Sequence, residues 1–61
     1  MTELYRQATI RQAWEWFGFA DDWAAYRDES HPQSDRWTYC AAQAMQCERR
    51  GLALLAEACG V

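Results

Sequence analysis

The 61-residue sequence has no lysine, one proline, one histidine and three scattered glycines. Because the glycines are not clustered, the chain lacks the phosphate-binding loop of nucleotide-binding proteins. A single histidine, with no Cys-x-x-Cys, His-x-x-x-His or Glu-x-x-His motif, leaves too few ligands for a four-coordinate zinc site. We therefore expect no cofactor and no metal.

Long apolar runs are also missing. No stretch approaches the roughly 18 apolar residues that span a bilayer, and the N-terminus lacks the charged-then-apolar layout of a secretory signal. Two of the three cysteines, Cys40 and Cys47, fall on one predicted helix, about 10.5 Å apart along its axis, which exceeds the roughly 7 Å limit for a disulfide. The sequence predicts reduced thiols, a cytoplasmic location and no membrane partner.

The charge balance runs against nucleic-acid binding. The chain contains six arginines and nine acidic residues, which gives a net charge of −3. Nucleic-acid binders usually carry a basic patch that neutralises phosphates, and the nearest equivalent here is the pair Arg49-Arg50 beside Glu48. Nucleic acid is therefore not the expected partner.

Apolar and aromatic residues are abundant by contrast. Hydrophobic residues make up 51% of the chain and aromatic residues 15%, with four tryptophans, which predicts a folded protein. We interpret residues 1–61 as a single helical domain. A chain this short buries only about 60% of the surface that its unfolded form exposes, so its stability needs support such as oligomerisation.

Capping residues and glycine divide the first half of the chain. Thr2 can cap a first helix running from about Glu3 to Phe17, and Gly18 is placed to end it. Three aromatic residues then come at i, i+4 and i+7, which predicts a short amphipathic second helix: Phe19, Trp23 and Tyr26.

The clearest loop is Ser30-His31-Pro32-Gln33-Ser34, because Pro32 disfavours a helical His31 and Ser34 can cap the next helix. A third helix begins at Asp35, and its apolar stripe stays in phase through Gly51 to about Cys59. We therefore favour one long helix over a break at Gly51. The predicted fold is an all-α bundle of three helices, or four with that break, with a long C-terminal helix.

The predicted helix faces differ in character. The third helix has a small inner face, formed by Cys40, Ala41, Ala44, Cys47 and Gly51, against which Phe19, Trp23 and Tyr26 could pack, with Trp37 closing one end. The first helix has two opposite apolar stripes: Ile10, Ala13, Trp14 and Phe17 on one side, and Met1, Leu4, Tyr5 and Ala8 on the other, with Trp16 nearer the second. A small core satisfies one stripe only, which predicts a partner for the other.

Two resemblances are present. Glu15-x-x-Gly18 recurs as Glu48-x-x-Gly51, 33 residues later, which resembles helical hairpins of the tetratricopeptide kind. Trp23 stands where that family has a small residue, and two units are fewer than such arrays need. We therefore attribute the 33-residue repeat to coincidence or to a distant relationship. The spacing of Glu15-x-x-Gly18, Trp37, Cys47 and Arg49-Arg50 resembles the small ANR-type bacterial regulators. The intervals differ, and we do not assign the chain to that family.

We find no catalytic constellation. His31 could pair with Cys40 or Cys47 only if those thiols left the predicted core face, so a loop histidine and buried thiols are the simpler interpretation. We therefore expect that the protein is not an enzyme.

Three functional hypotheses remain. The first is a regulator or inhibitor that binds a partner protein surface through Leu4, Tyr5 and Trp16, as a homodimer, of the kind found among phage or plasmid accessory proteins. The second is a small transcription regulator that contacts DNA through Arg36, Arg49 and Arg50, on a helix face that also carries Gln43 and Gln46. The third is a structural subunit of a larger assembly.

Overall fold

The computed structural model describes residues 2–60, and within this range the chain is an antiparallel pair of helices. Helix α1 spans Glu3–Glu29 and helix α2 spans Asp35–Ala58. The all-α prediction is confirmed in these residues, but the prediction of three or four helices is wrong, because two helices account for all of the helical structure described. Met1, which we placed on the second apolar stripe of the first helix, lies outside the described residues, as does Val61.

Both helices begin at the residues that the sequence predicts. The Thr2 hydroxyl accepts a hydrogen bond from the Tyr5 amide at 3.2 Å, and the Ser34 hydroxyl accepts one from the Trp37 amide at 3.1 Å. Each hydroxyl satisfies an amide that has no partner inside the first turn, and Glu3 and Asp35 add favourable negative charge there. The turn between the helices is therefore fixed at its far end by a cap.

Gly18 does not end the first helix, contrary to the prediction. The inward positions of α1 keep a single helical phase across it, with Ala13 and Phe17 before the glycine and Ala20 and Ala24 after it. Burying this continuous stripe against α2 outweighs the roughly 1 kcal/mol that a glycine costs in a helix interior. The predicted first and second helices are consequently one helix of 27 residues.

Helix α2 is continuous through Gly51, as predicted, and its small-residue face forms most of the interface with α1. The buried residues of α2 are Cys40, Ala44, Cys47, Gly51 and Ala58. At Gly51 the two helices approach closely: a Cβ atom there would lie 2.7 Å from Cε1 of Phe17 and 3.0 Å from the carbonyl oxygen of Ala13. Glycine is therefore required at this position by the contact with α1.

The aromatic residues that we expected opposite this face do not fill the core. Phe19 and Tyr26 are each 50% exposed, and Trp23 is half-buried against the ring of Tyr39, with centroids 5.8 Å apart. A helix packed against one neighbour buries only a narrow stripe, and these three residues lie beside that stripe. Phe17 takes the role that we assigned to them.

The loop at residues 30–34 makes a tight reversal. Gln33 has a φ of 67°, in the left-handed region that glycine adopts most easily. His31 is exposed, and its Nδ1 lies 2.9 Å from the carbonyl oxygen of Pro32, so this nitrogen donates to the loop backbone. The one histidine is thus engaged in the turn itself.

The hairpin is a thin slab of 45 × 16 × 9 Å. Its radius of gyration is 14.0 Å, whereas a compact chain of this length would have about 10.5 Å. Its accessible area is 4728 Å², against about 4,100 Å² expected for a folded monomer of its mass. Neither α1 nor α2 is long and apolar enough for a membrane span.

Candidate protein-binding surface

The slab has two broad sides, and we name each after its tryptophan. The Trp16 side carries the cross-helix contacts of Tyr5 with Glu57, Trp16 with Arg50 and Trp23 with Tyr39. By helical geometry the opposite Trp14 side carries these residues: Ile10, Trp14, Phe17, Met45 and Leu52. Each side offers side chains from both helices, so each could receive another helical surface.

Edge-to-face aromatic contacts and one cation–π contact hold the Trp16 side together. The guanidinium carbon of Arg50 lies 5.6 Å from the centroid of the Trp16 ring, close enough for a cation–π interaction. The same indole meets Phe19 edge-to-face, with centroids 5.6 Å apart. Toward the chain ends, the Tyr5 hydroxyl donates to Oε1 of Glu57 at 3.2 Å. These contacts hold the side chains of this surface in defined positions before any partner arrives.

Beside Trp16 a groove of about 580 Å³ runs along α2, which we call the Trp16 groove. The indole of Trp16 lines the groove from α1, and Ala53 supplies exposed apolar surface from α2, next to the buried Cys47. Four longer polar side chains complete it: Gln43, Gln46, Arg49 and Arg50. The groove therefore combines an aromatic wall with amide and guanidinium donors.

The Trp14 side is more apolar. Trp14 is 63% exposed, Met45 55% and Leu52 53%, and the Trp14 ring meets Phe17 edge-to-face at 5.4 Å. A shallow depression of about 260 Å³ lies between Met45 and Leu52, bordered by Glu48 and Arg49. Large apolar side chains so exposed and so close together are typical of interaction surfaces.

The structure separates the three residues that the sequence proposes for partner binding. Tyr5 and Trp16 share the Trp16 side, about 16 Å apart along the axis of α1. Leu4 is 82% exposed and points to a different face, because successive helical residues are rotated by about 100°. One flat partner surface can contact Tyr5 and Trp16 together but not Leu4.

The three arginines proposed for nucleic-acid contact are also divided. Arg49 and Arg50 both border the Trp16 groove. Arg36 lies about 20 Å from Arg50 along α2, near the loop end of the slab. The structure thus places Arg49 and Arg50 beside Trp16 in one groove. From the sequence we had proposed the arginines for DNA contact and Trp16 for binding a partner protein.

The groups considered for catalysis lie apart. Cys40 and Cys47 are buried in the helix interface and Cys59 is exposed after α2; all three are free thiols. His31 is in the loop at the opposite end of the slab from Cys59. Among residues 2–60, no three histidine, cysteine or acidic side chains gather closely enough to hold a metal ion.

Sequence reasoning missed the apolar character of the Trp14 side. It assigned Trp14 to the core and gave Met45 and Leu52 no role. The signal was present, since Met45 and Leu52 are seven residues apart and so lie on one flank of α2 beside the buried stripe. Their exposure can be inferred only once the number of helices is known.

Comparison of the chain with models of protein families, with curated proteins and with solved structures gives no match. Function is therefore inferred from the two sides of the slab themselves.

Proposed function

We propose that this protein is a non-enzymatic interaction module, a small regulator or inhibitor that binds a surface of a larger protein and works as a homodimer. One observation carries the proposal: the helical pair exposes large apolar side chains on both broad sides and fully buries none of its large side chains among residues 2–60. A protein with so little interior gains stability when its sides are covered. Its free thiols suit the reducing cytoplasm, where we place it.

The Trp14 side is the better surface for self-association. A two-fold axis through its middle would bring Trp14, Met45 and Leu52 of one copy against the same residues of the other, which forms an apolar four-helix core. Each broad side of the slab extends over 45 × 16 Å, which gives room for an interface of standard size, with roughly 800 Å² of accessible surface buried on each partner. On the Trp16 side the same axis would place like charges of Arg50 near each other.

Self-association through the Trp14 side leaves the Trp16 side free for the partner protein. Tyr5 and Trp16 are the aromatic anchors of this side, and aromatic residues contribute strongly to binding energy at interfaces. Both are held in place by contacts with α2, so less side-chain entropy is lost on binding.

Sedimentation equilibrium from high to low micromolar concentration tests the dimer. The wild type should sediment as a dimer, and Trp14→Ala should shift it toward monomer, whereas Tyr26→Ala should not. Tyr26 is a matched control, because it is also half-exposed and aromatic but lies beside the Trp16 side. A wild type that stays monomeric at the highest concentration would contradict the proposal for this side.

A double substitution tests the partner surface. Tyr5→Ala with Trp16→Ala should leave helicity intact by circular dichroism while abolishing capture of a partner by the immobilised protein. Loss of helicity would instead assign both residues to the fold.

The Trp16 groove also favours a second candidate, a transcription regulator that contacts DNA. Arg49, Arg50, Gln43 and Gln46 are side-chain types that contact phosphates and base edges, and they share the groove. Arg36 would extend that contact toward the loop end. This function requires that the protein shift the electrophoretic mobility of duplex DNA at low salt. The affinity for DNA must then fall steeply as ionic strength rises. A third candidate, a structural subunit, requires poor solubility when the chain is expressed alone.

A further inference from the structure

The Trp16 groove concentrates positive charge in an acidic protein. Two of the six arginines border it, while the whole chain has a net charge of −3. Within the part of the chain that the structure describes, its lining contains no carboxylate. The charge of the groove is therefore positive, whereas the net charge of the whole chain is negative.

The arginines of the groove form no ion pair with any acidic side chain in residues 2–60. The ion pairs within residues 2–60 are Arg6 with Glu3, at 3.4 Å, and Arg27 with Asp28, at 3.1 Å. Arg49 and Arg50 take part in neither. Since a guanidinium group gains most from a planar carboxylate, both side chains retain their full capacity to bind one.

The contact of Arg50 with Trp16 leaves that capacity available. Its guanidinium carbon lies 5.6 Å from the Trp16 centroid, within the range of a cation–π interaction. This interaction is between the charge and the ring, so it does not use up the five N–H donors of the guanidinium group. The indole thus holds the cation beside the groove while its N–H donors remain available to a ligand.

We propose that the Trp16 groove binds an acidic, partly apolar segment of the partner protein, whose carboxylates pair with Arg49 and Arg50 and whose apolar residues rest on Trp16 and Ala53. This inference rests on the proposed function and names the chemistry of the partner. The groove volume, about 580 Å³, suits a few side chains of such a segment. Duplex DNA fits less well, because its one charge per roughly 1.7 Å would also meet the carboxylate of Glu57, which lies on the same side of the slab.

The test uses two fluorescein-labelled amphipathic helical peptides of about 16 residues, one with Leu and Glu at i, i+4 spacing and one with every Glu changed to Gln. Fluorescence anisotropy of each peptide is titrated with the full-length wild type and three variants. Arg50→Gln should weaken binding of the acidic peptide about tenfold or more, and Arg50→Lys should weaken it less. Arg11→Gln is the matched control: it removes the same charge outside the groove and should change the affinity less than about twofold.

Three outcomes overturn the inference. Equal affinity for the acidic and neutral peptides would mean that the groove binds apolar segments without carboxylate recognition, and the proposed function would survive. Equal losses from Arg50→Gln and Arg11→Gln would mean that only net charge matters. Tighter binding of a duplex DNA oligonucleotide than of the acidic peptide would assign the groove to nucleic acid, and the proposed function would fail with it.

Discussion

Replacing Gly18 or Gly51 with alanine tests the same substitution in two different environments. Both lie inside helices, where replacing glycine with alanine normally stabilises by about 1 kcal/mol. A Cβ atom on Gly18 would meet nothing within 4 Å. A Cβ atom on Gly51 would lie 2.7 and 2.9 Å from two ring carbons of Phe17 and 3.0 Å from the Ala13 carbonyl oxygen. The two variants should therefore change stability in opposite directions.

The magnitudes can be worked from these contacts. Gly18→Ala should stabilise the fold by about 1 kcal/mol, which raises the Tm by roughly 4–8 °C in a domain of this size. At Gly51 the same gain in helix propensity is offset by overlap, and overpacked cores lose about 1–3 kcal/mol. The backbone oxygen of Ala13 cannot move away without separating the helices. We expect Gly51→Ala to destabilise by about 1 kcal/mol and to lower the Tm by a similar number of degrees.

Thermal unfolding followed by circular dichroism measures both variants, at one fixed protein concentration because self-association would make the Tm concentration-dependent. Phe17→Leu in the Gly51→Ala background provides the control. Removing the ring should recover part of the lost stability, a coupling of about 1 kcal/mol in the double-mutant cycle. If Gly51→Ala raises the Tm as much as Gly18→Ala does, the close approach of α1 and α2 at this point is refuted.

Three further predictions concern the loop and the thiols. Ser34→Ala should lower the free energy of unfolding by about 1 kcal/mol in urea denaturation because the Trp37 amide loses its cap, and Ser34→Asp should not. Gln33→Gly should raise the same free energy by about 0.5–1 kcal/mol, since it relieves a left-handed conformation; a decrease would contradict the φ of 67°. In the native protein Ellman's reagent should modify Cys59 alone, whereas fast reaction of a second thiol would contradict the burial of Cys40 and Cys47.

Features that depend on neighbouring residues were predictable from the sequence. Thr2 and Ser34 cap the helices because their hydroxyls reach amides three residues away, an interaction that no other part of the fold has to supply. The buried face of α2 was predictable for the same reason, since its small residues repeat with the helical period through Gly51.

Features that depend on how many helices pack together were not predictable. A glycine such as Gly18 ends a helix when no packing against a neighbouring element stabilises the residues beyond it. Here α2 covers the apolar stripe of α1 both before and after Gly18, so the helix continues. Likewise Phe19 and Tyr26 would be core residues in a three-helix bundle but lie at the edge of a two-helix slab. The groove beside Trp16 brings together residues more than 25 positions apart, which periodicity within one helix does not detect.

The hydrogen bond between Tyr5 and Glu57 places the beginning of α1 beside the end of α2. Labels attached near Thr2 and Gly60 would therefore sit close together, whereas a label on the loop would sit at the other end of a body 45 Å long. Because these attachment points lie at one narrow end, tethering the protein to a bead or a chip near Thr2 or Gly60 keeps both broad sides accessible. Two hairpins joined in tandem by a flexible linker would likewise have their exposed sides at high effective concentration, so a weak self-association could be studied within one polypeptide.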